Sequence, residues 1–103
     1  MKESMIIKNT ISESVQYNKE HLEDIFHLLK KKDVLTKMIP EDKIKKLEDM
    51  IQVFNDNSKS LIDLLEQDDI QKINSFYHST YLKNYKAAID LYTHIRREKL
   101  KKQ

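Results

Sequence analysis

The sequence predicts an all-α protein, an antiparallel three-helix bundle, and three observations lead to that prediction. The 103-residue chain contains no Gly, one Pro and no Cys. Glycine is the usual residue in turns with a positive φ and in loops that bind phosphate, and helices need it least. Charged residues make up 35% of the chain and apolar residues 39%, a mixture typical of helices with one apolar face. Apolar residues also recur at steps of three and four in three long segments.

The first predicted helix covers residues 11–32. Thr10 and Glu13 have the spacing of a capping box, in which each side chain binds the backbone N–H of the other residue. Residues 1–9 are accordingly interpreted as a tail or a frayed turn. The apolar stripe of this helix includes Asn18, whose burial is costly unless its amide is hydrogen-bonded.

The second predicted helix follows Pro40, which pre-sets φ for a first helical turn. Its apolar residues form the seam expected of a bundle or coiled coil. The seam is Ile44, Leu47, Ile51, Phe54, Ser58, Leu61 and Leu65. A break at Asn55–Ser58, which are turn-forming residues, would give a four-helix bundle instead, but the unbroken seam favours one helix. The preceding connection, residues 33–39, keeps four apolar residues and is expected to close one end of the core.

The third predicted helix begins at Ile70. This residue follows Leu65 by five positions, a step that breaks the seam, and Asp68 with Gln71 has the spacing of an N-cap box. Residues 67–69 are therefore predicted to be the second turn. Without that turn, the second and third helices would form one rod that must oligomerise to cover its apolar stripes.

The third helix contains four of the five tyrosines and presents them on one face. Leu82 and Ile89 widen this apolar face beyond what one neighbouring helix covers. Tyr dominates many protein interfaces, so the face is predicted to bind a partner, either a second copy of the chain or another protein. The predicted partner-binding residues are Tyr77, Tyr81, Leu82, Tyr85, Ile89 and Tyr92. The alternative is that the tyrosines line the edge of the core, with the ring inside and the hydroxyl at the rim.

The net charge of +2 hides an uneven distribution of charge. In an antiparallel bundle, the end of the first helix, the start of the second and the end of the third share one pole. Twelve of the 19 Lys and Arg residues and six acidic residues lie there, giving a net charge of about +6. The predicted basic patch is Lys30, Lys31, Lys32, Lys37, Lys45, Lys46, Arg96, Arg97, Lys99, Lys101 and Lys102. Such a pole can bind an acidic protein, a phosphate backbone or an anionic membrane, although lysine-rich helix ends often serve only solubility.

No recognisable arrangement of residues predicts an enzyme, a metal site or a cofactor. The four histidines, at positions 21, 27, 78 and 94, include no pair at the i, i+4 spacing of a helical zinc site. Adjacent carboxylates such as Glu23 and Asp24 diverge around a helix. No apolar run exceeds three residues, so no membrane span is predicted and a cytoplasmic location is expected.

Together these features favour a small non-catalytic module that binds and regulates, inhibits or protects a partner protein. The third helix and the basic pole are its predicted binding surfaces, and no small-molecule substrate is predicted. The alternative is an accessory protein that binds nucleic acid through the basic pole. One domain is expected over residues 10–99, followed by a basic tail at 100–103, and the abundance of Lys, Ile and Asn suggests a bacterial or phage origin.

Overall fold

The computed structural model describes residues 2–31 and 39–101, and for residues 2, 4 and 99–101 it describes the backbone alone. Helix α1 is Lys2–Lys30 and α2 is Glu41–Gln67. Helix α3 passes without a break through Ile70–Phe76, a π-helical turn at Tyr77–Tyr81 and Leu82–Lys101. The described chain contains no strand, and the predicted all-α fold with three helices is confirmed.

Ion pairs between the helices identify an antiparallel, up-down-up arrangement. Lys8 near the start of α1 pairs with Asp68 after the end of α2, at 2.8 Å between Nζ and Oδ1. Lys43 in the first turn of α2 pairs with Glu98 near the end of α3, also at 2.8 Å. Helices α1 and α3 are therefore parallel to each other, and α2 runs in the opposite direction. The bundle is elongated, with extents of 54 × 20 × 19 Å.

One face of each helix supplies the core. In α2 the predicted seam is buried from Leu47 to Leu65, and its first member, Ile44, is partly exposed. The buried residues of α1 are Ile11, Val15, Asn18, Leu22, Ile25 and Leu29, and those of α3 are Ile73, Tyr81, Ala88 and Ile95. Each large apolar side chain contributes about 1.5–3 kcal/mol when fully buried, so this core dominates the stability of the fold.

Helix α2 continues through Asn55–Ser58, so the four-helix alternative is wrong. Ser58 is 3% exposed, and its hydroxyl donates a hydrogen bond to the carbonyl oxygen of Phe54 at 2.9 Å. This local bond satisfies the hydroxyl proton of the polar member of the seam, and Ser58 also lies beside the Tyr81 hydroxyl of α3, whose pKa it lowers. Packing of the seam on both sides of Ser58 therefore outweighs the turn-forming preference of the Asn and Asp residues.

The connection between α2 and α3 contains an aspartate in the left-handed conformation, which Asp tolerates better than most non-glycine residues. Asp68 has φ 65°, and its N–H donates to the carbonyl oxygens of Leu64 and Leu65 at 3.2 and 3.3 Å. Asp69 is the N-cap of α3, and its Oδ1 accepts a hydrogen bond from the N–H of Lys72 at 3.2 Å. The two helices are separate as predicted. The predicted N-cap at Asp68 is wrong by one residue, because Asp68 is the C-cap of α2 and Asp69 is the N-cap of α3.

Helix α1 begins at Lys2 rather than at residue 11, so the interpretation of residues 1–9 as a tail is wrong for the described residues 2–9. Thr10 consequently lies inside the helix and caps nothing. The Lys8–Asp68 ion pair joins these early turns to the end of α2, and Ile7 packs against the core. Because such tertiary contacts stabilise the early turns, they override the local capping signal.

The first connection lies largely outside the described residues, as does residue 32, the predicted end of the first helix. Ile39 is partly buried and packs against the core. Pro40 occupies the N-cap of α2 with φ −57° and ψ 137°, and its carbonyl oxygen accepts from the N–H groups of Lys43 and Ile44. Proline therefore precedes the first helical turn by one residue.

The π-helical turn adjusts α3 to an irregular spacing of its buried residues. Ala88 follows Tyr81 by seven residues and Ile95 follows Ala88 by seven, but Tyr81 follows Ile73 by eight. A step of seven keeps two residues on nearly the same face of an α-helix, whereas a step of eight rotates them apart by about 80°. The wider π-turn absorbs the extra residue, so that Ile73 and Tyr81 both remain in the core.

Candidate interaction surface

Tyr77, Tyr81 and Tyr85 of α3, here called the tyrosine row, face α1 rather than solvent. Three side-chain pairs join the two helices at successive turns: Ser14 Oγ with Tyr77 Oη, Asn18 Nδ2 with Tyr81 Oη, and His21 Nδ1 with Tyr85 Oη. Their distances are 2.8, 3.3 and 3.0 Å. Each of these tyrosine hydroxyls has a polar partner on α1, so the rings pack between the helices without leaving a polar group unsatisfied.

Tyr81, at the centre of the row, is 0% exposed, and its prediction as a partner-binding residue is therefore wrong. Its ring centroid lies 5.0 Å from that of Phe54 in α2 and 5.4 Å from that of Tyr77. Asn18 donates to its hydroxyl, which removes the main cost of burying a tyrosine. Tyr81 is thus part of the core, on which all three helices converge.

The remaining predicted partner-binding residues of α3 are partly buried and pack against the core. They are Tyr77, Leu82, Tyr85, Ile89 and Tyr92. The large apolar side chains that are exposed in the described structure lie on α1 and α2 instead, and they are Met5, Ile6, Tyr17, Leu28, Val53 and Ile62. Helix α3 therefore offers a partner only the partly exposed edges of its aromatic face.

A signal for this inward orientation exists in the sequence of α1. Ser14, Asn18 and His21 follow one another at steps of four and three, which places them on one side of a helix. Each has a side chain that can bond a tyrosine hydroxyl. Tyr77, Tyr81 and Tyr85 recur at steps of four and four, and they meet these three side chains because α1 and α3 lie parallel at the same level.

Burial raises the pKa of the Tyr81 hydroxyl from 10.0 to about 12, because the surroundings disfavour a tyrosinate charge. The hydrogen bond from Asn18 lowers this pKa in part, and the neighbouring Tyr77 and Tyr85 raise it further. Burial also raises the pKa of Tyr85, with an additional contribution from Tyr17. The protonated forms of Tyr81 and Tyr85 are therefore the ones that the fold favours.

We expect the fold to lose stability between pH 10 and pH 12. The pKa of Tyr81 is higher in the folded than in the unfolded chain, so its contribution is complete below 10.0 and is lost as the pH rises through about 12. The shift corresponds to roughly 3 kcal/mol. Urea unfolding followed by circular dichroism over this range measures the loss, and Tyr81→Phe should remove most of it. Equal losses in the two chains would contradict this account.

The antiparallel arrangement brings three basic segments to the same end of the bundle, here called the basic end. Its described members from the predicted patch are Lys30, Lys31, Lys45, Lys46, Arg96 and Arg97, all exposed. Lys32, Lys37 and Lys102 lie outside the described residues, and for Lys99 and Lys101 only the backbone is described. The Lys30–Glu48 ion pair at 3.4 Å joins α1 to α2, as the Lys43–Glu98 pair joins α2 to α3.

Acidic neighbours neutralise part of the basic end. Lys30, Lys43 and Lys45 form ion pairs with Glu48, Glu98 and Asp49, the last at 3.5 Å. Within the described structure no ion pair involves Lys46 or Arg97, and both are exposed. The positive charge of these two side chains is therefore directed to solvent and available to a partner.

An aromatic–cation pair lies beside the basic end on α3. The guanidinium carbon of Arg96 lies 5.8 Å from the ring centroid of Tyr92, a cation–π distance. Ile89, about one turn earlier on this edge, is partly buried like Tyr92, whereas Arg96 is exposed. Tyr and Arg are the residue types that most often anchor protein interfaces.

The described residues form shallow grooves between the helices, and one of about 210 Å³ between α1 and α2 is lined in part by Glu23, His27 and Glu48. No three of their His, Asp or Glu side chains converge in a way that could hold a metal ion. A groove of about 400 Å³ between α2 and α3 is open to solvent and is lined by Leu64, Gln71, Lys72, Ser75, Phe76, Ser79 and Thr80. It contains no carboxylate or imidazole that could act as a general acid or base.

None of the helices in the described ranges combines the length and the hydropathy that a bilayer crossing requires. Comparison of the chain with protein-family models, with curated protein sequences and with solved structures finds no match. Function is therefore inferred from two surfaces, the basic end and the edge formed by Ile89, Tyr92 and Arg96.

Proposed function

We propose that this protein is a non-catalytic interaction module whose basic end binds an acidic surface of a partner protein. The observation that carries the proposal is the up-down-up packing, which gathers basic residues from three separate segments at one end. The opposite end carries an excess of acidic residues from the α2–α3 region, among them Asp63, Glu66, Asp68 and Asp69. This separation of charge orients an approaching acidic partner toward the basic end.

Lys46 and Arg97 supply the electrostatic part of this binding. Both are exposed and outside the ion pairs of the described structure, so a partner carboxylate does not have to displace an internal one. Exposed charges of this kind mainly accelerate association and make it dependent on salt. The proposal therefore requires a second, apolar contribution to hold the complex together.

Tyr92 and Ile89 provide that apolar contribution. They lie on α3 immediately before Arg96, and each keeps part of its side chain accessible. Burial of the remaining apolar area contributes about 25 cal/mol per Å² removed from water. The sequence placed the binding surface along all the tyrosines of α3. Because Tyr81 is buried, the proposed surface is limited to Tyr92 and Ile89, close to the basic end.

The proposal is tested by capturing the partner with matched charge variants of the tagged chain. The test variant is Lys46→Glu with Arg97→Glu, and the control is Lys19→Glu with Lys59→Glu, a pair of exposed lysines away from the basic end. We expect the wild type and the control to recover the same protein from an extract of the source cells. The test variant should bind that protein, once purified, at least about tenfold more weakly, a loss of about 1.4 kcal/mol.

Two further results decide the outcome of that experiment. Tyr92→Ala should weaken the same complex while the circular dichroism spectrum remains helical, because Tyr92 is only partly buried. If the test and control variants bind the purified partner equally well, the basic end is not the binding surface. Retained binding by Tyr92→Ala would remove the apolar edge from the proposal.

Nucleic acid is the second candidate ligand of the basic end, because clustered Lys and Arg also neutralise phosphates. Fluorescence anisotropy with labelled DNA and RNA of mixed sequence at low salt tests this candidate. Binding to phosphates should weaken steeply with salt, with a slope set by the number of phosphates neutralised. If no binding occurs at low salt, the nucleic-acid function is excluded and the protein-binding function is unaffected.

A further inference from the structure

Helix α1 packs against one side of the contact between α2 and α3, and the other side is open to solvent. Two hollows lie on that open side and are here together called the α2–α3 groove. The first, of about 240 Å³, is lined in part by Lys46, Met50 and Val53 of α2 and by Ala87 of α3. The second is the open groove of about 400 Å³, which Leu64 of α2 lines. Leu64 follows Val53 by eleven residues, about three helical turns, so both hollows open on the same side of α2.

The floor of the α2–α3 groove is apolar and accessible. Val53 is 48% exposed, and Met50, Leu64 and Phe76 are partly buried, so each keeps apolar area in contact with water. The wall on α3 consists of short side chains, which let another backbone approach closely; they are Ser75, Ser79, Thr80, Asn84 and Ala87. From Lys46 to Leu64 the groove follows α2 for about 27 Å, the length of five helical turns.

Each of the two hollows is lined by one lysine, Lys46 in the first and Lys72 in the second. Both lysines are exposed, and neither forms an ion pair within the part of the chain that the structure describes. Among the described residues that line the hollows, the one carboxylate is that of Asp49, whose charge is paired with Lys45 at 3.5 Å. The groove therefore combines an apolar floor with an available positive charge toward each end.

We infer that the α2–α3 groove binds an acidic amphipathic helix of the partner protein. Apolar side chains on one face of that helix enter the two hollows, and carboxylates beside that face pair with Lys46 and Lys72. The bound helix lies on the side of α2 and α3 opposite to α1 and completes a four-helix arrangement. The inference rests on the proposed function, because Lys46 belongs both to the basic end and to the groove, and it adds a second apolar contact to that of the Tyr92 edge.

Other occupants fit the groove less well. The same groove of a second copy would place lysines against lysines, which is unfavourable. A nucleic acid would neutralise the lysines, but its phosphates leave the apolar floor at Val53 without an apolar contact. An extended peptide gains its affinity from backbone hydrogen bonds, and the backbone groups of α2 and α3 are already bonded within their helices. A helix needs none of these bonds and packs at roughly 8–10 Å from each neighbouring helix axis.

Fluorescence anisotropy with a labelled synthetic peptide tests the groove. The peptide has about 18 residues, which span 27 Å as a helix, with Leu at steps of three and four on one face and Glu beside that face. A second peptide has the same composition in scrambled order. We expect the first peptide to bind the full chain in the micromolar range and the scrambled peptide to bind at least about tenfold more weakly. Equal affinity of the two peptides would overturn the inference.

Matched variants of α2 place the peptide on the chain. Val53→Glu puts a charge on the floor of the groove, and Ile62→Glu puts the same charge about two and a half turns later, on the opposite side of α2. The two side chains are 48% and 42% exposed, so both variants should remain helical by circular dichroism. We expect Val53→Glu to weaken binding of the amphipathic peptide at least about tenfold and Ile62→Glu to leave it unchanged. Equal effects of the two substitutions would overturn the inference.

A charge exchange tests the pairing of the peptide with Lys72. Lys72→Glu should weaken peptide binding several-fold, whereas Lys59→Glu, at an exposed position of α2 outside the groove, should change it little. Two further peptides carry Lys in place of Glu, one at the first end and one at the last. One of them should regain affinity for the Lys72→Glu chain, and its identity gives the orientation of the bound helix. If neither regains affinity, the proposed charge pairing is wrong.

The purified partner from the capture experiment separates this inference from the proposed function. Val53→Glu should weaken that complex at least about tenfold, as should Lys46→Glu with Arg97→Glu. If Val53→Glu binds the partner as the wild type does and the double variant does not, the proposed function stands and the groove inference is overturned. If both bind as the wild type does, both proposals fail. In sedimentation equilibrium we expect a monomer of 12.4 kDa, and a dimer that Val53→Glu abolishes would overturn the inference by identifying a second copy as the occupant.

Discussion

Replacing Tyr81 by alanine is expected to destabilise the protein by about 4 kcal/mol or more, because truncation of a fully buried aromatic side chain typically costs 3–5 kcal/mol. The lost ring packs against Phe54 and Tyr77, and the cavity lies where all three helices meet. The amide of Asn18 also loses its bond to the Tyr81 hydroxyl and keeps only the one to Ser14. Domains of this size are stable by about 5–15 kcal/mol, so the variant will lose a large part of its free energy of unfolding.

Urea unfolding followed by circular dichroism measures this loss, with two matched substitutions. Tyr17→Ala removes the same side chain from an exposed position and should cost less than about 1 kcal/mol at equal protein concentration. Tyr81→Phe keeps the ring and removes the hydroxyl, so it should cost about 1–2 kcal/mol through the unsatisfied Asn18 amide. Equal destabilisation by Tyr81→Ala and Tyr17→Ala would show that Tyr81 is not a core residue.

The fold itself was predictable from apolar spacing because the seam of α2 is regular. Its steps of three and four persist from Leu47 to Leu65, and every member over that range is buried. The same spacing identified α2 as one helix in spite of Asn55–Ser58. A pattern that long reports the packing of a whole helix, and local turn preferences are weak beside it.

The candidate surface was less predictable, because a helical stripe indicates which residues share a face but not what that face contacts. Tyr81 and Tyr92 belong to the same aromatic face, yet one is fully buried and the other is partly exposed. The difference arises from the parallel placement of α1, which brings Asn18 to the Tyr81 hydroxyl. Such pairing depends on the relative level of two helices that are about sixty residues apart in sequence, a quantity that no local pattern encodes.

The start of α1 and the π-turn were missed for a related reason. Thr10 and Glu13 form a plausible cap on local grounds, but tertiary contacts of Ile7 and Lys8 reward a longer helix. The π-turn follows from the step of eight between Ile73 and Tyr81, which becomes significant only when both residues are known to be buried. Local rules therefore failed where a tertiary contact supplied the larger free energy.

Deleting one residue from α3 is expected to change the stability of the protein little inside the π-turn and strongly outside it. Deletion of Ser79, an exposed residue of the turn, should convert it to an ordinary α-helical turn and leave both flanking segments in register. The stability of that variant should lie within about 1 kcal/mol of the wild type. Ile73 and Tyr81 would then be separated by a step of seven, which an α-helix accommodates with both side chains in the core.

Deletion of Lys86 is the matched experiment, because this residue is equally exposed but lies in the regular part of α3. It rotates everything that follows by about 100°, which turns Ala88 and Ile95 away from the core. Burial of Ile95 alone is worth about 1.5–3 kcal/mol, and displaced neighbours add to the loss, so the variant should be largely unfolded at room temperature. Circular dichroism at 222 nm and urea unfolding distinguish the two deletions. If they destabilise the protein equally, the π-turn is a local irregularity and does not maintain the register of α3 against α1 and α2.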